Sequence, residues 1–252
     1  MILKNYMHET LISSTEFYKL CFQYGVIKIQ EKNSNNVIFK KRIHSIVKSI
    51  PVIERLMRMK PRAMLFLDSK SFIFSDHGFI YRCSVPDKQL VREHKFAKGM
   101  NNPLSFCTRY DENGKLLDII YGEYIGNINR GPISIYRRIF DGKWKKIYEF
   151  PSHTIQHIHN IVFDRFRNRY LIMTGDLDEE SGIWEADIDF KIVKPIVQGS
   201  QKYRACVLMP TENYLYYATD TPLEQNYIYR LDNSGKLEQV SEIPGPCIFG
   251  IE

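Results

Sequence analysis

The sequence contains no run of about 18 apolar residues, so no membrane-spanning helix is expected. Its start, Met1-Ile-Leu-Lys-Asn-Tyr-Met-His-Glu9, carries no apolar signal-peptide core. It has no CxxC pair. Five cysteines, Cys21, Cys83, Cys107, Cys206 and Cys247, are odd in number and widely spaced. That pattern argues against a disulfide framework and a cysteine-rich zinc site. It leads to the expectation of reduced, buried thiols in a cytoplasmic compartment. The formal net charge is +6, from 35 Lys and Arg against 29 Asp and Glu. The basic residues are scattered, at Lys40–Arg42, Arg55–Arg62, Arg137-Arg138, Lys143–Lys146 and Arg165–Arg169. No glycine-rich RNA-binding signature accompanies them, so they read as solvated outer strands and turns, and no nucleic-acid partner is expected. No cofactor is assigned.

Aromatic residues, by contrast, are plentiful: 16 Tyr and 15 Phe in 252 residues. They fall in short β-branched and aromatic runs closed by polar turns, the composition of strands. Four runs make a unit, and the unit recurs. The clearest copy is His157–Asp164, Arg169–Asp176, Ser181–Asp187 and Lys191–Val197. The next is Tyr203–Met209, Asn213–Asp220, Asn226–Asp232 and Lys236–Ile243. Weaker copies begin at Ala63 and Leu104. First strands at 63, 104, 157 and 203 give periods of 104 − 63 = 41, 157 − 104 = 53 and 203 − 157 = 46. The long period holds an insertion around Glu123–Gly131. Third strands share a core, Phe79-Ile-Tyr-Arg, Ile135-Tyr-Arg, Ile183-Trp-Glu and Ile228-Tyr-Arg. Four strands in about 40–45 residues is the signature of a β-propeller blade. The expected fold is therefore an all-β propeller of four-stranded antiparallel blades, one domain over residues 1–252.

Four blades are clear, and partial ones flank them. Phe22–Gln30 and Asn36–Arg42 read as an outer hairpin, and Cys247–Glu252 as the first strand of a further blade. A blade cannot cover both its faces alone, so four blades and scraps make an incomplete ring. The reading is of a chain truncated after 252, or of a fifth blade assembled from both termini. One stretch, residues 41–62, breaks the rhythm. Ile50, Ile53, Leu56 and Met57 fit one helical face with Pro51 in its first turn, a short helix packed on the propeller.

Candidate site residues gather at the first strands, which line the channel of a propeller. His157 and His159, two apart, face the same way on a strand. Such a pair can share a metal, but no third ligand is motif-linked, and no metal site is assigned. Alignment of the next blade puts Gln201, Tyr203 and Arg204 beside them, and Arg204 offers a forked cation for a carboxylate or phosphate. Acidic loops follow the second strands, Gly175–Glu180 and Thr219–Glu224. Asp176 and Asp220 coincide in the two blades and read as a repeated turn or cap. Asp178 and Glu224 are less redundant, so they join His157, His159, Tyr203 and Arg204 as expected ligand-binding residues.

Ser181-Gly-Ile-Trp184 and Ser75-Asp-His-Gly78 resemble worn Asp-boxes of sialidase-like propellers, whose pattern is about Ser-x-Asp-x-Gly-x-x-Trp. In that family the box is a structural turn on the blade rim. The sialidase arginine triad and Tyr–Glu nucleophile have no counterpart in this sequence. Similar repeat proteins accompany bacterial surface-polysaccharide enzymes, so the resemblance implies a glycan partner. The expected function is a binding module for a glycan, acidic in character, or a small polar ligand. The alternatives are a glycoside hydrolase or lyase using the channel histidines and loop carboxylates, and a scaffold for a protein partner.

Overall fold

The computed structural model describes residues 10–45, 61, 63–97, 99–139, 141–248 and 250. They divide between two compact units, Met1–Lys98 and Gly99–Glu252. The first unit holds two four-stranded antiparallel sheets. The first blade is β1 (Thr10–Ser14), β2 (Tyr18–Gln23), β3 (Val26–Glu31) and β4 (Val37–Arg42). The second is β5 (Met64–Phe66), β6 (Ser71–Asp76), β7 (Phe79–Ser84) and β8 (Gln89–Lys95). The second unit holds three more. Its first sheet, the third blade, is β10 (Cys107–Tyr110), β11 (Leu116–Gly122), β13 (Ile133–Arg138) and β14 (Trp144–Phe150). A two-stranded ribbon joins β9 (Met100–Asn101), before the third blade, to β12 (Tyr124–Ile125), inside the expected insertion. The fourth blade is β15 (His157–Asp164), β16 (Arg169–Gly175), β17 (Gly182–Ala186) and β18 (Val193–Gln198). The fifth is β19 (Ala205–Pro210), β20 (Tyr214–Thr219), β21 (Asn226–Asp232) and β22 (Leu237–Ile243).

The fold is thus an all-β propeller fold with five four-stranded blades. The expected partial hairpin at the start is corrected: Thr10–Arg42 is a complete blade, its first strand short and interrupted by an irregularity between Leu11 and Ser13. Of the expected strand over 247–252, residues 249, 251 and 252 fall outside the described residues, and the described part is not a strand. Cys247 and Ile248 belong to no strand, and the Cys247 N–H donates to the Thr219 carbonyl at 3.0 Å. Of the expected helix over 41–62, Lys41 and Arg42 lie in β4, and residues 46–60 and 62 fall outside the described residues.

Burial explains the blades. The second strands are enclosed on both faces, so β6, β11 and β16 are buried at nearly every position rather than at alternate ones. Fourth strands are largely exposed, and Lys145, Lys146 and Lys194 sit there. Between third and fourth strands the ladder is irregular in all five blades, each time directly after an isoleucine: Ile29, Ile80, Ile135, Ile183 and Ile228. A bulge adds twist and bends the outer strand. The first four of these isoleucines are fully buried.

Between the third and fourth blades lies a buried charge network. The Asp118 carboxylate accepts from Arg109 Nε at 2.7 Å and from the Tyr170 hydroxyl at 2.9 Å, and Arg137 Nε lies 3.3 Å away. Around it Ile120, Ile135, Phe150, Ile172 and Trp184 form one apolar cluster. Removing the carboxylate takes the charge partner from two guanidinium groups and the acceptor from a phenol. Asp118→Ala should lower unfolding free energy by about 3–5 kcal/mol in a denaturant titration; a loss below about 1 kcal/mol would show the network to be dispensable.

Candidate functional site

The site grows from a defect in the inner strand of the fourth blade. β15 pairs with β16 through His157 opposite Gly175 and Ile158 opposite Thr174, then skips to Asn160 opposite Met173. His159 is the extra residue. A bulge re-aims the side chain it carries, and the His157 and His159 rings come to 5.0 Å between centroids. Both side chains are buried. The chain leaves β16 at Gly175, and Asp176 follows immediately beneath the two rings.

Each imidazole is fixed through its Nδ1. That of His157 donates to the Ile125 carbonyl at 3.0 Å, from the ribbon strand β12. That of His159 donates to the Ala205 carbonyl at 3.0 Å, from the fifth blade. A carbonyl only accepts, so the ring hydrogen of a neutral imidazole sits on Nδ1 and its Nε2 presents a lone pair. Both Nε2 atoms face one oxygen, Asp176 Oδ1, at 3.6 Å from His157 and 3.1 Å from His159. Two lone pairs against a carboxylate repel unless a proton or a cation lies between them. His157 Nε2 is buried without a hydrogen-bond partner. A cation bound tetrahedrally at about 2.0–2.1 Å spaces its donors by about 3.3 Å, and the two separations bracket that value. His157, His159 and Asp176 therefore fit a divalent cation.

Arg204 supplies the positive charge that the structure itself provides. Its guanidinium lies 2.9 Å from Asp176 Oδ1 and donates to the Asp176 backbone carbonyl at 3.0 Å. Its Nε is buried with no partner among the described residues. Burial alone would raise the Asp176 carboxyl; the His157 and His159 rings, which donate through Nε2 when protonated, and the Arg204 charge outweigh it and hold the group well below the usual carboxylate range. Asp176 is also the most open member, with 34 % of its side chain exposed. Tyr124, on β12, closes one side by standing edge-on to His157 at 4.5 Å.

A second carboxylate continues the site. Cys206, the residue skipped where β19 pairs with β20, donates its thiol to Asp220 Oδ2 at 3.3 Å. Burial, reinforced by the Asp220 charge, raises the thiol far above its ordinary value, so it stays protonated. His159, Cys206 and Asp220 also lie within 4.8 Å of one another. Cys206 borders a cavity of about 570 Å3 between the inner strands, lined also by Phe106, Thr108, Asn160, Phe163 and Met209.

Of the six residues expected from sequence, the structure brings three together: His157, His159 and Arg204. Tyr203 ends a 3-10 turn, Gln201–Tyr203, and packs against the apolar wall of Leu171, Met173 and Tyr217. The register explains this. His157 opposes Gly175 and Ala205 opposes Thr219, so Ala205, not Tyr203, is the counterpart of His157. Asp178 opens a 3-10 turn and is exposed, and Glu224 is exposed on the turn before β21. Among the described residues no hydrogen bond or ion pair joins either carboxylate to the cluster. Asp176, read as a turn residue, is its centre. Cys206, Asp220 and Tyr124 join it. The repeat of Asp176 and Asp220 after consecutive second strands was the available signal.

No family model matches the sequence, and no curated protein matches it. Solved structures do resemble the fold. An oligogalacturonate lyase in complex with manganese superposes with a TM-score of 0.59 at 8 % identity, covering 94 % of this chain and 67 % of that one. The extracellular domain of a putative one-component system from B. thetaiotaomicron gives 0.57 at 13 % identity, covering 94 % and 29 %. TolB from Acinetobacter baumannii gives 0.51 at 13 %, covering 91 % and 52 %. Identities this low establish the propeller fold and nothing finer. They supply no sequence-level link to sialidases, so the Asp-box resemblance stands on its own few residues.

Two measurements check this geometry. Long-range 1H–15N spectra should show the Nδ1–H form for both His157 and His159 at pH values where the rings are neutral; an Nε2–H form at either would contradict the assignment. A methyl added at Gly175 would lie 2.8 Å from His159 Cε1 and 3.4 Å from Arg204 Cγ. Gly175→Ala should therefore shift the His159 resonances while leaving the circular dichroism of the sheets unchanged. Acid unfolding offers a further check. A carboxyl held below its unfolded value, ~4 for Asp, stabilises the fold above that pH and loses the contribution as pH falls further. The stability gap between the native protein and Asp176→Asn should narrow on acidification from pH ~5 towards pH ~2; a gap independent of pH would sink the assignment.

Proposed function

We propose that this protein is a glycan-recognition propeller whose ligand, a sugar bearing a carboxylate, docks at His157, His159 and Arg204. One observation carries the reading: beside the partly open Asp176, His157 Nε2 and Arg204 Nε are buried without a hydrogen-bond partner among the described residues, and His159 Nε2 faces Asp176 Oδ1 at 3.1 Å. An anionic group arriving there finds a forked cation and two imidazoles able to take up protons. The cavity bounded by Cys206 and Asn160 offers room for the rest of a sugar unit beside the cluster. The presence of a carbohydrate lyase among the proteins of like fold supports a glycan as ligand.

A second reading, a metal-assisted glycan lyase, draws on the spacing of the donor set. His157, His159 and Asp176 would hold the cation, which supplies a Lewis acid to a sugar carboxylate. In that reading the carbonyls of Ile125 and Ala205 keep both Nε2 lone pairs aimed inward, and Arg204 holds Asp176 in place.

Isothermal titration with short uronic-acid oligosaccharides and their neutral counterparts separates these readings. The acidic ligands should bind and the neutral ones should bind far more weakly. Arg204→Gln should weaken acidic binding about tenfold to a hundredfold, the equivalent of a charged hydrogen bond worth about 1.5–3 kcal/mol. Equal binding of acidic and neutral sugars, or binding unaltered in Arg204→Gln, would refute the site. Growth of the ultraviolet absorbance of an unsaturated uronate, abolished by a chelator, would establish the lyase reading instead.

A further inference from the structure

The first unit contains a second imidazole–carboxylate cluster that the proposed function does not use. His44 lies two residues beyond β4, buried against Phe22 with ring centroids 5.6 Å apart. Its Nε2 is 3.1 Å from both oxygens of Asp76, the last residue of β6. His77 comes next, and its Nδ1 is 2.7 Å from Asp76 Oδ1. The three donors lie within 4.8 Å of one another. We propose that His44, Asp76 and His77 form a divalent-cation site of the first unit, independent of the cluster around Asp176.

Local backbone geometry presents the third ligand. Asp76 pairs with Phe79 across a two-residue turn in which His77 has φ +44° and Gly78 φ +83°. Two positive φ values are the signature of the tight turn that closes a hairpin without splaying it. Glycine takes this conformation freely, whereas histidine takes it at a cost. Any residue that tolerates the turn would serve the hairpin; histidine adds a ring nitrogen held at the carboxylate. His77 is the open member, with 40 % of its side chain exposed against 3 % for His44 and 8 % for Asp76. A cation thus has two buried donors waiting and one reached from solvent.

The hydrogen bookkeeping at His44 favours exchange. Its Nδ1 is buried with no partner among the described residues. With the hydrogen on Nε2, the ring donates to Asp76 and leaves a bare Nδ1. With the hydrogen on Nδ1, Nε2 is free to bind a cation and Nδ1 still lacks a partner. Freeing the ligand atom therefore sacrifices no bond at Nδ1. At His77 the hydrogen moves to the exposed Nε2, where water accepts it. Two neutral imidazoles bind the cation without net proton loss, and Asp76 keeps its negative charge. Tetrahedral binding requires donors about 3.3 Å apart, so the cluster opens by a few tenths of an ångström, which the exposed His77 can supply. Two imidazoles and one carboxylate suit zinc and its neighbours among the first-row divalent metals better than calcium or magnesium, which take oxygen ligands.

Zinc titrations against a chromophoric chelator test the site, in the full chain carrying His157→Ala and His159→Ala so that the other cluster is silent. One equivalent of zinc should bind to that protein, and cobalt in its place should give the intense visible bands of a tetrahedral centre. Adding His77→Asn should weaken zinc binding at least tenfold, because asparagine tolerates the turn but removes the imidazole. Asp76→Asn should do the same. Absence of a one-to-one complex in the double variant would overturn the proposal, as would unchanged affinity in His77→Asn with its circular dichroism preserved. Neither result bears on sugar binding at Arg204, which is read separately.

Discussion

The blade architecture depends on one constraint: a blade's second strand is apolar on both faces and must be covered on both. Phe72, Ile73 and Phe74 in β6, or Leu171, Ile172 and Met173 in β16, are all but inaccessible. No single sheet achieves that burial. Covering β16 takes the third blade on one side, through Ile120 and Phe150, and the fifth on the other, through Leu208 and Leu215. The hydrophobic gain is proportional to the area covered, so each blade is stable only in company. Polar residues caught in these seams must then be satisfied there. Asp118 with its two arginines is one result and the His157–His159–Asp176–Arg204 cluster is another.

That constraint is also why the architecture was legible and the site was only partly so. Runs such as Tyr170–Thr174 cannot be amphipathic, and their recurrence identifies blades without any structural knowledge. The first blade escaped because its period-matched signals are weak: β1 is a short, irregular Thr-Leu-Ile-Ser-Ser, and the segment after β4 breaks the spacing to β5. Site residues escaped for a different reason. Alternation along a strand locates a side chain only when the ladder is regular, and Cys206, which the sequence reading missed, occupies an irregularity as the expected His159 does. An alignment two residues out of register brought Tyr203 into the expected set in place of Ala205, and the coincidence of Asp176 with Asp220, read as a repeated turn, kept Asp176 out of it.

The carboxylates after the second strands show how a repeat is put to several uses. Glu123, Asp176 and Asp220 each follow the last residue of such a strand, after Gly122, Gly175 and Thr219. Glu123 is turned inward, accepts from the Ser134 N–H at 2.8 Å, and has its carboxyl raised chiefly by burial. Asp220 meets a thiol. Asp176 alone meets two imidazoles and a guanidinium. The same backbone position is thus a buried acid, a thiol acceptor and an ion-pair centre, according to what the next inner strand brings.

His157 and His159 owe their orientation to carbonyls outside their own blade, Ile125 on the β9–β12 ribbon and Ala205 on the fifth blade. The pair stands on the fourth blade but is aligned from either side. Widening of one seam by a fraction of an ångström would release one ring, free its hydrogen to change nitrogen, and turn the Nε2 lone pair facing the cluster into a donor. Occupancy and seam closure are thereby linked, and linkage is reciprocal: whatever binds these rings also staples the ribbon to the fourth and fifth blades, turning a ligand contact into a clamp on the cohesion of the second unit.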